Sequence, residues 1–132
     1  MKILVLSTKP NLYSTKRLVD EAHLRGHEVE VIQTTKCLMD LKNVYYKDRI
    51  LNDFDAVIPR IGVSISSYGM AIVRQFESMG IYCLNSANAI GRSRDKLRSL
   101  QLLSRKNLPL PKTSFAHAYH DSERMIELVG GA

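Results

Sequence analysis

The fold class is decided by residues 3–33, which read ILVLSTKPNLYSTKRLVDEAHLRGHEVEVIQ. The first four form an unbroken apolar run, which is typical of a strand covered on both faces. A helix is predicted over residues 13–25, before Gly26, and the alternation in residues 27–33 predicts a second strand. Two strands joined by a helix within about thirty residues indicate a β-α-β unit with parallel strands.

The middle of the chain continues this alternation of strands and helices. The predicted elements are, in order, a loop with a short hairpin at 34–53, a strand at 54–59, a helix at 64–79 and a strand at 81–84. The expected fold class is therefore α/β, with an open, mostly parallel sheet flanked by helices.

Residues 85–110, NSANAIGRSRDKLRSLQLLSRKNLPL, form the most basic part of the chain. They predict a leucine-spaced helix over residues 94–106 and an exit bounded by prolines. A strand over residues 112–117 and a helix over residues 121–129 are expected to follow. We therefore predict an α/β domain over residues 1–92 and the start of a second module over residues 93–132.

Composition limits the possible classes of protein. With 132 residues, 45% of them hydrophobic, the chain is long enough to bury a core and is not of disordered composition. The net charge of +6 suits anionic partners, but it does not by itself indicate nucleic-acid binding. Cys37 and Cys83 have no metal-binding spacing and are expected to be reduced thiols. No apolar run approaches the ~20 residues of a membrane span, so we expect a cytoplasmic protein.

Polar residues follow three of the predicted strands. Ser7 follows the first strand, Arg60 and Gly62 follow the third, and Asn85 follows the fourth. The carboxyl ends of parallel strands share one rim, where ligands bind in open α/β sheets. The Arg60 guanidinium suits a carboxylate or a phosphate, and Gly62 would let a ligand approach the backbone. The alternative is that Arg60 pairs with a local carboxylate and Gly62 only turns the chain.

Other familiar chemistries have no support in the sequence. The first strand-to-helix loop contains no glycine, so a dinucleotide fingerprint is absent, and there is no P-loop and no His-Glu-x-x-His motif. The serines around Ser64 lie at a predicted helix start, where capping explains them more simply than catalysis.

On a helix over residues 94–106, Arg94, Arg98, Gln101 and Arg105 fall on one basic stripe, which is expected to be a solvated face. Lys96 does not lie on this basic stripe. On a helix over residues 94–106 it lies one turn before Leu100, on the apolar stripe that lysines usually avoid. Arg92, Arg94 and Lys96 also crowd a predicted helix N-terminus, where the dipole favours an anion. Either an anion binds there or Lys96 extends its ammonium past apolar surface into solvent. Asp95 is expected to be a first-turn acid or a cap.

These same residues resemble a known family. Asp95-Lys96 near a helix start, followed by Asn107-Leu108-Pro109, is similar to the opening of ATP-grasp ligases, with Asn107 in place of the family's glycine. More of the chain resembles the N-terminal part of RimK-type ATP-grasp ligases. The matching stretches are Leu12-Tyr13-Ser14, KRL at 16–18, FDAVIPRIG at 54–62, YG at 68–69, RQFE at 74–77, RDKLRSLQLL at 94–103 and VGGA at 129–132.

The resemblance implies a ligase that activates a carboxylate with ATP as an acylphosphate and joins it to an amine, with Mg²⁺ or Mn²⁺ on the phosphates. It implies that Lys96 contacts the ATP phosphates and that Arg60 faces the substrate cleft. Implied partners are glutamate and the C-terminus of a small-subunit ribosomal protein. A homo-oligomer is a further possibility, whereas membranes and direct nucleic-acid binding are not expected.

The resemblance also implies an incomplete enzyme. In this family the glycine-rich loop, the adenine-binding strands and the acidic metal ligands follow the N-terminal region. Residues 1–132 are thus expected to be a fragment that is inactive by itself, comprising a pre-ATP-grasp domain (1–92) and the first elements of an ATP-grasp module (93–132). Two alternatives stay open: a stand-alone α/β binding domain, and a nucleic-acid-binding protein that uses the basic stripe.

Overall fold

The strand β1 (Lys2–Ser7) lies inside a four-stranded parallel sheet in the computed structural model, which describes residues 1–131. The sheet has the order β2-β1-β6-β7. The other three strands are β2 (Glu28–Gln33), β6 (Ala56–Arg60) and β7 (Tyr82–Cys83). Every residue of β1 after Lys2 is buried, as the unbroken apolar run predicts. The predicted open parallel α/β sheet is therefore confirmed.

The helix α1 (Tyr13–Leu24) connects β1 to β2. The side chain of Thr15 in this helix is buried against the sheet, and the Thr15 hydroxyl lies 3.3 Å from the hydroxyl of Ser7. Gly26 follows the helix with a φ of 74°, a conformation that costs glycine little and lets the chain turn into β2.

Residues 34–53 contain more structure than the predicted hairpin. Three short strands form an antiparallel sheet in the order β3-β4-β5. They are β3 (Cys37–Met39), β4 (Val44–Tyr46) and β5 (Arg49–Ile50). In the first turn, Asp40 accepts hydrogen bonds from the backbone N–H groups of Lys42 (2.7 Å) and Asn43 (2.6 Å) and from the Tyr45 hydroxyl. The two backbone bonds are the largest cause of the lowered pKa of Asp40, so this carboxylate fixes the turn.

The helix α2 (Ser66–Ser78) packs on β7 and on the antiparallel sheet. It starts after a 3-10 turn at Val63–Ile65, which moves its start two residues from the predicted Ser64. Ile72, Val73 and Phe76 are fully buried in the core with Leu4 and Leu6 of β1. Burying three large side chains of one helix at this spacing is what holds α2 to the sheet.

Gly69 of α2 has no room for a side chain. A Cβ placed there would overlap the side chain of Ile61, which is buried directly after β6. We therefore expect Gly69→Ala to lower the free energy of unfolding by about 1 kcal/mol, because overpacking costs ~1–3 kcal/mol and the better helix propensity of alanine offsets about 1 kcal/mol of this.

Urea unfolding of the two variants Gly69→Ala and Gly91→Ala tests this prediction. In α3 (Ala87–Arg94) a Cβ at Gly91 meets only the flexible Met70 sulfur, at 3.1 Å. We expect Gly91→Ala to be neutral or stabilising, and equal losses in both variants would contradict the packing argument.

The chain divides after Arg94 into two compact units, Met1–Arg94 and the residues from Asp95 onward. The break lies inside the helix that the sequence predicts over residues 94–106, so that prediction is wrong at its start. Asp95 has extended backbone angles (φ −82°, ψ 100°), and its Oδ1 accepts a hydrogen bond from the Arg98 N–H at 2.9 Å. Asp95 is thus confirmed as a cap, and α4 (Lys96–Ser104) starts after it.

In the second unit, a residue with a left-handed backbone conformation follows the end of α4. Asn107 has a φ of 53°, a conformation that asparagine tolerates better than most residues after glycine. This explains how asparagine can stand at a position where the resemblance to ATP-grasp ligases leads one to expect glycine. The helix α5 (Ser122–Val129) ends at Gly130, whose φ is 120°, as predicted. Asp121 precedes α5, but its side chain makes no capping hydrogen bond.

The predicted strand over residues 112–117 is wrong, because no strand is formed there. A strand needs a neighbour for its backbone hydrogen bonds, and none of the described residues pairs with this segment. Local contacts hold it instead, such as the Ser114 hydroxyl, which donates to the Met125 carbonyl at 3.2 Å.

Candidate functional site

The carboxyl ends of β1 and β6 lie side by side, with Ser7 directly opposite Arg60 in the strand register. Next to them is a cavity of about 230 Å³, whose lining includes Ser7, Thr8, Arg60 and Gly62. Two of the three strand ends that the sequence singled out are therefore neighbours. This is the place where open parallel sheets bind ligands.

The Ser7 hydroxyl is engaged in hydrogen bonds within the protein and is not free to bind a ligand. Its side chain is buried, donates to the Lys9 carbonyl at 3.1 Å and contacts the Thr15 hydroxyl. These bonds fix the turn after β1. A ligand in the cavity would therefore meet the backbone of this turn rather than the Ser7 side chain.

Arg60 is the cationic group of this rim. Its guanidinium is exposed, and its Nη2 donates a 2.8 Å hydrogen bond to the Ser14 hydroxyl of α1. Among the described residues no carboxylate forms an ion pair with it. Most of its five N–H donors thus remain available for an anion. Because Ser14 holds the side chain at one end, Arg60 is oriented before any ligand arrives.

Gly62 follows β6 in the loop that leads to α2. A Cβ at this position would lie 2.8 Å from the Thr8 hydroxyl oxygen, so the two loops at the rim approach closely because Gly62 has no side chain. The φ of Gly62 is −72°, an ordinary value. Close approach, and not an unusual turn, is therefore the structural reason for glycine here.

Arg94 fixes the same loop from the end of α3. Its guanidinium donates to the carbonyls of Ile61 and Gly62 and to the Ser66 hydroxyl, and the Gly62 bond measures 3.1 Å. The helix predicted over residues 94–106 would place Arg94 on the solvated basic stripe, and this prediction is wrong. The prediction assigned Arg94 to the helix that became α4, whereas Arg94 is the last residue of α3.

The cations Arg92, Arg94 and Lys96 do not crowd one helix start, because they belong to two helices. Arg92 and Arg94 occupy the last turn of α3, where the helix dipole favours positive charge. Of the three cations that the sequence placed together, only Lys96 stands at the start of α4. The crowding therefore gives no argument for a bound anion.

Asn85 lines a different cavity from Ser7 and Arg60. This cavity measures about 380 Å³, and Ser93 and Arg94 line it as well. Arg94 connects the two places, since it also binds the Ile61–Gly62 backbone that borders the first cavity. The rim thus has two recesses, and Arg94 lines one of them and binds the loop that borders the other.

Lys96 is exposed and is the first residue of α4. The helical register had placed it on the apolar stripe, but Leu97 and Leu100 turn inward and line a cavity of about 240 Å³ with Leu110 and Phe115. The helix starts two residues later than predicted, so Lys96 is its first residue and lies at an exposed end. Among the described residues Lys96 has no ion-pair partner, so its ammonium is available to a ligand.

Metal and thiol chemistry have little support in the described residues. No three His, Cys, Asp or Glu side chains in residues 1–131 lie close enough to hold a metal ion. Cys37 and Cys83 are free thiols, and burial raises the pKa of each to about 11. They are therefore protonated at neutral pH and poor nucleophiles. No helix in the described part of the chain combines the length and apolar character that a membrane crossing requires.

The order of its parallel sheet and the recesses at its strand ends make the first unit a Rossmann-like α/β domain. A family model described as the RimK PreATP-grasp domain matches residues 1–90. The chain belongs to this RimK pre-ATP-grasp family.

Curated relatives agree with the family match. A probable alpha-L-glutamate ligase from Cellvibrio japonicus is 56% identical over 135 residues, which is 99% of this chain and 45% of the relative. A protein of the same description from Hydrogenovibrio crunogenus is 55% identical over 136 residues, again 45% of its length. The chain therefore spans a little less than half of the relatives that it matches.

Solved structures share the fold. A RimK-domain ATP-grasp protein from Sphaerobacter thermophilus has a TM-score of 0.77 at 18% identity, over 98% of this chain and 47% of its own. The ATP-grasp ligase PsnB, solved with a minimal precursor, has a TM-score of 0.75 at 18% identity, over 97% of this chain and 50% of its own. The predicted resemblance and fold class are confirmed.

Proposed function

We propose that these residues are the N-terminal part of an ATP-dependent carboxylate–amine ligase that adds glutamate to the C-terminus of a small-subunit ribosomal protein. The reaction would pass through an acylphosphate, with glutamate, ATP and the acceptor polypeptide as substrates. The observation that carries the proposal is the 56% identity to a probable alpha-L-glutamate ligase over nearly the whole chain. The proposed location is cytoplasmic, and neither a membrane nor a nucleic acid is a proposed partner.

Two charged groups have roles in this proposal. Lys96 binds the ATP phosphates, and its exposed ammonium at the start of α4 has no competing carboxylate partner among the described residues. Arg60 binds a substrate carboxylate at the rim, with Ser7 and Gly62 shaping the recess and Asn85 lining the neighbouring one. A guanidinium that is fixed by Ser14 loses little freedom when it pairs with a carboxylate.

The proposed Mg²⁺ or Mn²⁺ does not fit the side chains described here. Divalent cations on nucleotide phosphates need carboxylate oxygens, and residues 1–131 bring no three metal-binding side chains together. The 132 residues by themselves are expected to show no turnover.

A hybrid enzyme tests the function. These 132 residues would replace the matching 45% of the Cellvibrio japonicus relative, and the hybrid and the relative would be assayed with ATP, glutamate and peptides ending like small-subunit ribosomal proteins. We expect ATP-dependent growth of the peptide mass in steps of one glutamate, and none from the 132 residues alone. Turnover by the relative but not by a well-folded hybrid would contradict the proposal, as would robust turnover by the isolated chain.

A further inference from the structure

A further cavity lies between Arg60 and the first turns of α1. It measures about 450 Å³ and is lined by Tyr13, Ser14, Arg17, Leu18, Glu21 and Arg60. Arg60 lines this cavity and the recess at the strand ends, so the two form one continuous surface around its guanidinium. A ligand longer than one amino acid can therefore contact Arg60 and extend along α1.

The charges in this cavity favour an anion. Arg17 and Arg60 are both exposed, and Arg17 has only a weak contact to Asp20, at 4.0 Å. The one acid of the lining, Glu21, pairs with Arg25 outside the cavity at 2.8 Å. That ion pair offsets the negative charge of Glu21, so the two arginines set the sign of the electrostatic potential.

Apolar groups accompany the cations. Tyr13 is 78% exposed and Leu12, one residue before it, is 46% exposed. Exposed tyrosine and arginine next to each other are characteristic of polypeptide-binding surfaces, where the aromatic ring packs on the bound chain. A free amino acid or a nucleotide phosphate would use the arginines but leave these apolar groups uncovered.

We propose that this surface of α1 and Arg60 binds the acidic C-terminal segment of a polypeptide acceptor. Carboxylates of the segment pair with Arg60 and Arg17, and its preceding residues pack on Tyr13. The proposal rests on the proposed ligase function, because each added glutamate supplies one more carboxylate for these arginines. The acceptor would thus bind better after the first addition than before it, which favours repeated addition to one chain.

Fluorescence anisotropy with the 132-residue chain tests this without ATP. The probe is a labelled peptide with a C-terminal run of glutamates, and its matched control has glutamines instead. We expect the glutamate peptide to bind about tenfold more tightly, because two exposed carboxylate–arginine pairs are together worth about that factor. Arg60→Gln and Arg17→Gln should each lower this preference about threefold, and the double variant should abolish it.

Two further variants separate this surface from general positive charge. Arg74→Gln removes an exposed arginine from α2, away from the cavity lining, and should leave binding unchanged. Glu21→Gln removes the acid of the lining and should tighten binding of the glutamate peptide. All these variants change exposed side chains, and equal melting temperatures would show that each is folded.

Several outcomes would overturn the proposal. They are equal affinity for the two peptides, an equal effect of Arg74→Gln and Arg60→Gln, and full competition by free glutamate, by ATP or by an unstructured RNA. Competition by RNA would mean that the arginines bind phosphates. The binding assay measures no turnover, so its outcome is independent of the ligase assay. If the hybrid ligates glutamate but the glutamate peptide does not bind, the proposed binding surface is wrong while the proposed ligase function stands.

Discussion

Replacing Arg94 with alanine is expected to lower the free energy of unfolding of the first unit by about 2 kcal/mol. The guanidinium donates to the carbonyls of Ile61 and Gly62 and to the Ser66 hydroxyl, all partly buried. Alanine would leave these acceptors without their donor, and an unsatisfied buried polar group costs about 1–3 kcal/mol. For a unit of this size the melting temperature should fall by roughly 10 °C.

Arg94→Lys and Arg74→Ala distinguish geometry from charge. Lysine keeps the charge but has a single ammonium, which cannot reach three acceptors as the planar guanidinium does, so Arg94→Lys should be nearly as destabilising as Arg94→Ala. Arg74→Ala removes an exposed arginine and should cost less than about 0.5 kcal/mol. Hydrogen exchange should also accelerate in the loop after β6. Equal melting temperatures for Arg94→Ala and Arg74→Ala would contradict a structural role of Arg94.

The parts of the fold that the sequence predicts well are those in which local pattern and burial agree. The unbroken run in β1 indicates cover on both faces, and its residues are buried. Parallel pairing then places Ser7 opposite Arg60, which follows from the strand-end rule without any contact being known. Short strands are harder: β3, β4 and β5 have two or three residues each, too few to show alternation.

The break between α3 and α4 at Asp95 and the structural role of Arg94 were both missed for one reason. Residues 94–106 read as one helix because helical periodicity does not show where a chain changes direction. The cap at Asp95 divides it, and this transfers Arg94 to α3 and its side chain to the loop after β6. An Asp directly before a lysine- and leucine-rich run is an N-cap signal, so the break could have been found. The three acceptors of Arg94 could not be predicted, because they lie about thirty residues earlier in the chain and periodicity indicates only local structure.

Replacing Lys96 with alanine is expected to raise the KM for ATP at least about tenfold in the hybrid ligase, because one charge-assisted contact to a phosphate would be lost. The same change should alter the free energy of unfolding by less than about 0.5 kcal/mol, as is usual for exposed residues without a partner. Lys96 is exposed at the start of α4, where the dipole disfavours a cation unless an anion is bound. Alanine could therefore even stabilise the free protein slightly.

Lys106→Ala is the matched control, because Lys106 is also exposed and lies past the other end of α4. It should leave the KM for ATP unchanged, and Lys96→Arg should recover part of the loss because the charge remains. ATP should raise the melting temperature of the unchanged hybrid more than that of Lys96→Ala, since the stabilisation by a ligand grows with the logarithm of its affinity for the folded state. If Lys96→Ala lowers stability while the KM for ATP stays the same, the lysine serves the second unit and not the nucleotide.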